Sequence, residues 1–389
     1  MSDPSAFIQM IRNLLGDDEA LPELPNGNVY FLDREKENFD ICIYHLVDDL
    51  KPRGRKRVFL DPNEKPKRVV YDLIIENKVK SIPYREQLLK YIERVERKRR
   101  GGDSKPKYLL FSLAEVFPDK TSQNEVAFKY TIKKGRKTVP DSVAWIVVDY
   151  LTLYNEIQTR WKDSEGSSYI SDYCKFIYRL HFLQKAILNT MGSEHLFKEY
   201  EKFKEHRLHD LYIKLRCTKF MMQLRNRLMK SIPVEILAAN LIREKDKTTK
   251  QYRNKAGVYL NVNVFNAVGQ VGALIWDGKG DIYEVVIQGE QYRHGINPRE
   301  KETGKDKREM LDKMWNRHLN DPRANQFLNK VLNKVPHECK NKDKAGPYNE
   351  YDDAYIYRYV NYKDLVQNVE QLLDVMAQDI VATYNTLNP

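Results

Sequence analysis

The segment RVVYDLIIENKV, Arg68 to Val79, constrains this chain more than any other stretch. From Val69 to Ile75 it is almost continuously apolar and rich in β-branched residues, the pattern of a strand covered on both faces. It then ends abruptly in Glu76, Asn77 and Lys78. Alternate residues of a strand project to one side, so Glu76 and Lys78 point the same way. A carboxylate and an ammonium closing a buried strand carry a large desolvation penalty unless they find partners. The segment therefore predicts both the centre of a sheet and a charged cluster at its end.

The flanks extend this into an α/β unit. The opening residues predict an amphipathic helix, and NVYFLDRE and NFDICIYHL predict two strands. Lys51 to Arg68 is basic, interrupted by Pro and Gly, and predicts a loop. After Ser81-Ile-Pro83, Leu88, Leu89, Ile92 and Val95 recur at helical spacing through YREQLLKYIERVERKRR, which Gly101 and Gly102 terminate. KYLLFSLAEV then returns as a buried strand, giving a strand–helix–strand unit with parallel pairing. SVAWIVVDYLTLYNEIQTRW predicts a strand and a helix that close the core near Trp161, with Asp141, Trp145 and Asp149 in structural roles.

Asp40, on the strand that precedes the basic loop, can bring a second carboxylate to Glu76. Two carboxylates and a backbone carbonyl, assigned to Asn77, make a hard oxygen site suited to Mg²⁺, with Mn²⁺ as a substitute. Such an ion polarises a phosphodiester oxygen and lowers the pKa of bound water. Lys78 can position that water or neutralise the charge of the transition state. Gln87, in the first turns of the helix, can reach the same point, and Tyr91 shares its face.

The run DLIIENKVKSIPYREQLLKYIERV resembles the core signature of the PD-(D/E)XK nuclease superfamily. It is particularly similar to a bacterial branch in which a strand ending IENK precedes a helix carrying QLxxY. The resemblance covers about residues 1 to 160, most closely Asp40 to Tyr91. It implies a restriction-endonuclease-like mixed central sheet flanked by helices and metal-dependent hydrolysis of phosphodiester bonds. It implies metal ligation by Asp40 and Glu76, a catalytic Lys78 and a supporting Gln87. Many members carry a further acid upstream; Glu35 is the candidate, with Glu37 and Glu19 as alternatives. The chain departs from the pattern in two places: Phe39 precedes Asp40 where a proline is usual, and a long basic insertion separates Asp40 from Glu76.

Charge points to the same partner. The chain carries a net +11, and two basic runs flank the proposed catalytic strand and helix. Arg53, Arg55, Lys56 and Arg57 in the first run, and Arg97, Lys98, Arg99 and Arg100 in the second, are the candidate nucleic-acid contacts. DNA is the expected substrate, in restriction, repair or defence against foreign DNA. An RNase, or a nuclease frame that binds without cleaving, are the alternatives. The four cysteines are scattered with no CxxC pair, which predicts a reducing, cytoplasmic setting without structural zinc. No apolar run reaches bilayer-spanning length, and the N-terminus lacks a cleavable-signal pattern. Protein partners are not indicated, and self-association is left open.

The expected organisation is a nuclease core over 1–162, a helical region over 163–245 and a mixed α+β region over 246–389. In the last, strands are expected over 258–268, 271–276 and 282–288. Val285 to Asn297 reads from its strand end into a polar loop, Lys305 to Val335 as helix-rich, and DAYIYRYVNY as a strand before a C-terminal helix.

Overall fold

In the computed structural model, residues 4–18, 20–22, 24, 29–35, 38–48, 67–79, 85–114, 120–122, 125–134, 137–161, 167–189, 195–197, 200–233, 236–238, 256–265, 268–276, 278, 282–297, 349–351 and 355–388 are described. The chain divides into two compact units, Met1–Lys185 and Ala186–Pro389. The expected Lys305–Val335 segment and most of the basic loop, residues 51–66, lie outside the described residues.

The first unit is built on a seven-stranded sheet of order β1-β2-β3-β4-β7-β6-β5. Its strands are β1 (Phe31–Arg34), β2 (Ile41–Asp48), β3 (Lys67–Lys78), β4 (Lys107–Ser112), β5 (Lys120–Ser122), β6 (Glu125–Lys134) and β7 (Lys137–Val148). β3 is central, antiparallel to β2 and parallel to β4, which in turn runs parallel to β7. This mixed sheet is consistent with the restriction-endonuclease-like fold that the resemblance implies. The strand–helix–strand unit forms as expected. β3 starts at Lys67, so Arg68 belongs to the strand and not to the loop. β5 and β6 were not anticipated; β6 forms a long antiparallel ladder with β7.

Helix α2 (Arg85–Lys98) covers one face of this sheet. Its buried Leu88, Tyr91, Ile92 and Val95 meet Cys42, Tyr44, Leu46, Ile74, Tyr108, Leu110 and Trp145. Fully burying each aliphatic side chain contributes about 1.5–3 kcal/mol. Helices α1 (Pro4–Leu15) and α3 (Tyr150–Trp161) pack against each other. Asp149 caps α3, accepting from the Thr152 N–H at 2.8 Å and the Thr152 hydroxyl at 3.0 Å. Arg68 at the start of β3 donates a two-pronged fork to Asp103 beyond α2, at 2.7 and 2.5 Å. That fork ties the basal end of the strand to the turn that leads into β4. Helix α4 (Ser167–Asn189) carries the chain out of the first unit.

The second unit holds another seven-stranded sheet, β13-β14-β12-β11-β10-β9-β8. Its strands are β8 (Leu237–Ala238), β9 (Gly257–Phe265), β10 (Val268–Trp276), β11 (Ile282–Gln288), β12 (Gln291–Asn297), β13 (Asn349–Tyr351) and β14 (Tyr355–Asn361). α6 (His209–Leu228) packs on it, after the short α5 (Tyr200–Glu205). The expected C-terminal helix is two pieces, α7 (Tyr362–Leu365) and α8 (Val369–Leu387), the second capped by Asn368. The segment read as a polar loop is strand β12, joined to β11 through Gly289–Glu290. Gly289 sits at φ +59°, which suits the first central position of a two-residue hairpin turn. Tyr292 and His294 are buried because both reach Asp379 of α8, at 2.7 and 3.0 Å. Polar residues that look like loop in sequence thus serve as a satisfied internal cluster.

Candidate active site

β3 delivers Glu76 to the face covered by α2, and there the residue is fully buried. Its oxygen Oε1 accepts from the Tyr91 hydroxyl at 3.2 Å and from Gln87 Nε2 at 3.3 Å. The Lys78 ammonium pairs with the same oxygen, as the alternation along the strand requires. Gln87 Nε2 also donates to Tyr91 Oη at 2.7 Å, which fixes both donors, one turn apart on α2. All three donors crowd Oε1. Oε2 is buried and has no hydrogen-bond partner among the described residues. Burial raises the Glu76 pKa; the Lys78 pairing pulls it down and the nearby Asp40 carboxylate pushes it up again. The Tyr91 hydroxyl is likewise raised, by burial and then by Glu76 and Asp40.

Asp40 lies just before β2. Its Oδ2 accepts the Asn77 backbone N–H at 2.7 Å, which brings it against the end of β3. Ahead of Asp40, Glu35 at φ +55° and Asn38 at φ +66° both adopt left-handed backbone. Phe39, which stands where a proline is usual, is fully buried. Its ring meets those of Tyr71 at 5.7 Å and Tyr91 at 5.4 Å, both edge-on. The departure from the family pattern therefore has a physical content. A core anchor beside Asp40 packs on the tyrosine that holds Glu76, so the two carboxylates share one support.

Asn77 points away from Glu76, and its Oδ1 accepts from the Tyr150 hydroxyl at 2.5 Å. Tyr150, the first residue of α3, was not singled out in the sequence. Its hydroxyl pKa is raised by burial, with smaller contributions from Tyr173 and Asp40. The signal was available: a polar aromatic follows Asp149 at the end of β7, and β4 alone separates β7 from β3.

The other expected residues stand apart. The Glu35 backbone N–H donates to the Asp40 carbonyl at 3.2 Å, but its side chain is exposed and makes no described contact with Glu76. Glu37 and Glu19 lie outside the described residues, as do Arg53, Arg55, Lys56 and Arg57. Arg97, Lys98, Arg99 and Arg100 occupy the far end of α2, roughly 15–20 Å along the helix from Gln87. Arg99 chelates Glu96 at 3.0 Å, Lys98 lies over the Tyr71 ring at 5.7 Å, and Arg97 Nε reaches the Glu93 carbonyl at 3.2 Å. The structure does not bring this basic run into the carboxylate cluster.

The donor set fits a hard divalent cation. Two carboxylates converge and one buried carboxylate oxygen has no donor among the described residues, an arrangement that a cation offsets and an apolar ligand does not. Among the described residues no group of three or more His, Cys, Asp or Glu side chains gathers. No helix of the described chain is long and apolar enough to cross a membrane. No curated protein and no solved structure matches the chain. Residues 66–175 match the model of the PD-(D/E)XK nuclease superfamily, a segment that contains Glu76, Lys78, Gln87, Tyr91 and Tyr150.

Proposed function

We propose that this chain is a Mg²⁺-dependent deoxyribonuclease whose catalytic constellation is Asp40, Glu76 and Lys78, with Gln87 in support. The observation that carries this reading is the asymmetry of Glu76. Three donors hold Oε1, and Oε2 is buried with none among the described residues. In this reading Asp40, Glu76 Oε2 and the Asn77 carbonyl hold the cation, with Mn²⁺ able to substitute. When bound, the ion supplies Lewis-acid polarisation of the phosphate and lowers the pKa of water beside it.

The protein's own groups do the rest. Gln87 and Tyr91 fix the rotation of the Glu76 carboxylate, so that Oε2 and not Oε1 is presented. Tyr150 holds the Asn77 side chain, which steadies the peptide whose N–H binds Asp40. Lys78 places a compact positive charge where the phosphate gains charge during attack, and orients the incoming water. The net +11 favours a polyanion, for which the basic runs at 53–57 and 97–100 are the candidate contacts.

The test is incubation of the purified chain with linear, circular and single-stranded DNA and with RNA, in Mg²⁺, Mn²⁺ or chelator. The reading requires cation-dependent cleavage of DNA that chelator abolishes. Cleavage of RNA alone moves the substrate class. Salt-sensitive binding with no cleavage of anything makes the chain a binding module.

A further inference from the structure

Helix α4 carries a row of aromatic rings that the fold leaves in solvent. Tyr169 is 88% exposed, Tyr173 45% and Phe176 50%. Their spacing of four and three residues puts them on one flank of the helix. None has a ring partner among the described residues. The opposite flank behaves differently: Tyr178 packs on Tyr154 of α3 at 4.8 Å and on Phe182 at 4.6 Å. The inward face buries Cys174, Ile177 and His181. Tyr169, Tyr173 and Phe176 are thus not needed to hold the helix in place.

Position and charge say what the row is for. α4 packs on α3 through Tyr178 and Tyr154 at 4.8 Å, and Tyr150, one turn earlier on α3, donates its hydroxyl to Asn77 beside Asp40. The helix that carries the row is therefore packed on the helix that reaches the carboxylate cluster, within the same unit. α4 carries Lys175, Arg179 and Lys185 against a single acid, Asp172, which suits a polyanion better than a second copy of a basic chain. From Tyr169 to Phe176 the helix rises about 10 Å, room for two or three bases at the ~3.4 Å rise of one strand.

We propose that Tyr169, Tyr173 and Phe176 form a stacking platform for unpaired bases, so that a single strand is what this helix leads to the Asp40–Glu76 cluster. Flat rings stack on the faces of bases of any sequence, whereas the bases of an intact duplex present only their edges. This deepens the nuclease reading and rests on it for the meaning of the cluster, but the two fail separately.

The experiment is fluorescence anisotropy of the full chain with a labelled single-stranded oligodeoxynucleotide and with its duplex, in chelator so that nothing is cut. Tyr169→Ala, Tyr173→Ala and Phe176→Ala each weaken single-strand binding about 5- to 10-fold, the low end of base–aromatic stacking. Duplex binding stays within about twofold, and Tyr173→Phe retains the parent affinity. Tyr169 is so exposed that its alanine variant folds, which keeps the test decisive if another variant does not. The proposal is overturned if the parent binds no single strand, if the alanine variants bind it as the parent does, or if both affinities fall together. It is also overturned if the substitutions instead convert a dimer to a monomer. A parent that cleaves nucleic acid while the alanine variants bind normally removes the platform and leaves the nuclease. A parent that binds single strands through these rings but cleaves nothing does the reverse.

Discussion

Replacing Glu76 by glutamine sets the cost of burying a charge against the benefit of binding a cation. The Glu76 side chain is 1% exposed and its partner Lys78 12%. Desolvating a carboxylate costs several kcal/mol, and one ion pair offsets only part of that. Glutamine keeps the size and an Oε1 acceptor for Tyr91 and Gln87. The Lys78 ammonium it abandons sits on a flexible stem at the strand end and can turn toward water. In chelator the Glu76→Gln chain is therefore expected to equal the parent or exceed it by about 1–2 kcal/mol. The sign of the pH dependence agrees. Because the folded pKa of Glu76 is raised, chiefly by burial, the parent loses stability as pH rises from the ordinary glutamate pKa through the folded one. The variant lacks that slope. With Mg²⁺ the order inverts. At a hundredfold excess over its Kd the ion stabilises the parent by about 2.7 kcal/mol, or roughly 5–10 °C for a unit of this size, and does little for the variant. Calorimetry of both proteins with and without Mg²⁺ reads this directly. A variant that is less stable in chelator, yet shifts with Mg²⁺ as the parent does, would refute the reasoning.

Three further expectations use other parts of the molecule. Tyr150→Phe removes one hydrogen bond to Asn77 and should lower kcat about 5-fold, near 1 kcal/mol, with KM within about twofold in steady-state cleavage. Burial works to raise the pKa of Asp103, but the Arg68 fork and the Arg100 N–H outweigh it and hold the group below the ordinary range. Its contribution is present above the unfolded pKa and lost as pH falls through the folded one. Asp103→Asn should cost about 1–3 kcal/mol in urea denaturation at neutral pH, a deficit that disappears in acid. A Cβ at Gly272 would stand 2.1 Å from the Val285 carbonyl and 2.6 Å from Val286 Cα. Gly272→Ala should therefore lower the stability of the second unit by about 3 kcal/mol, while the Mg²⁺-induced calorimetric shift of the first persists.

What the sequence reveals of this protein depends on how local each determinant is. β3 and α2 are legible because their instructions are their own. The apolar run, the strand alternation that pairs Glu76 with Lys78, and the helical spacing of Gln87 and Tyr91 all lie within a short stretch. β6 carries an alternation of Val126, Phe128, Tyr130 and Ile132, yet only pairing with β7 makes it a strand in the middle of a ladder. β12 is harder still. Gln291, Arg293, His294 and Asn297 read as loop, and the strand exists because β11 and β14 flank it and Asp379 satisfies its buried polar side chains. At the candidate site, the hydrogen bond from Tyr150 to Asn77 links residues 73 positions apart, so no window of sequence contains it. The basic run at 97–100 shows the converse. Its composition predicts a nucleic-acid contact, but three-dimensional neighbours engage several of its side chains and place it at the far end of α2.

The central claim is that Asp40, Glu76 and Lys78 together cleave DNA with a divalent cation. The most direct measurement is the Mg²⁺-dependent cleavage rate of the parent beside Asp40→Asn, Glu76→Gln and Lys78→Met, each first shown to unfold cooperatively. The account predicts cleavage by the parent and a loss of roughly 100-fold or more in every variant, the scale of removing one electrostatic group from a transition state. Parent-like cleavage by all three folded variants would contradict it.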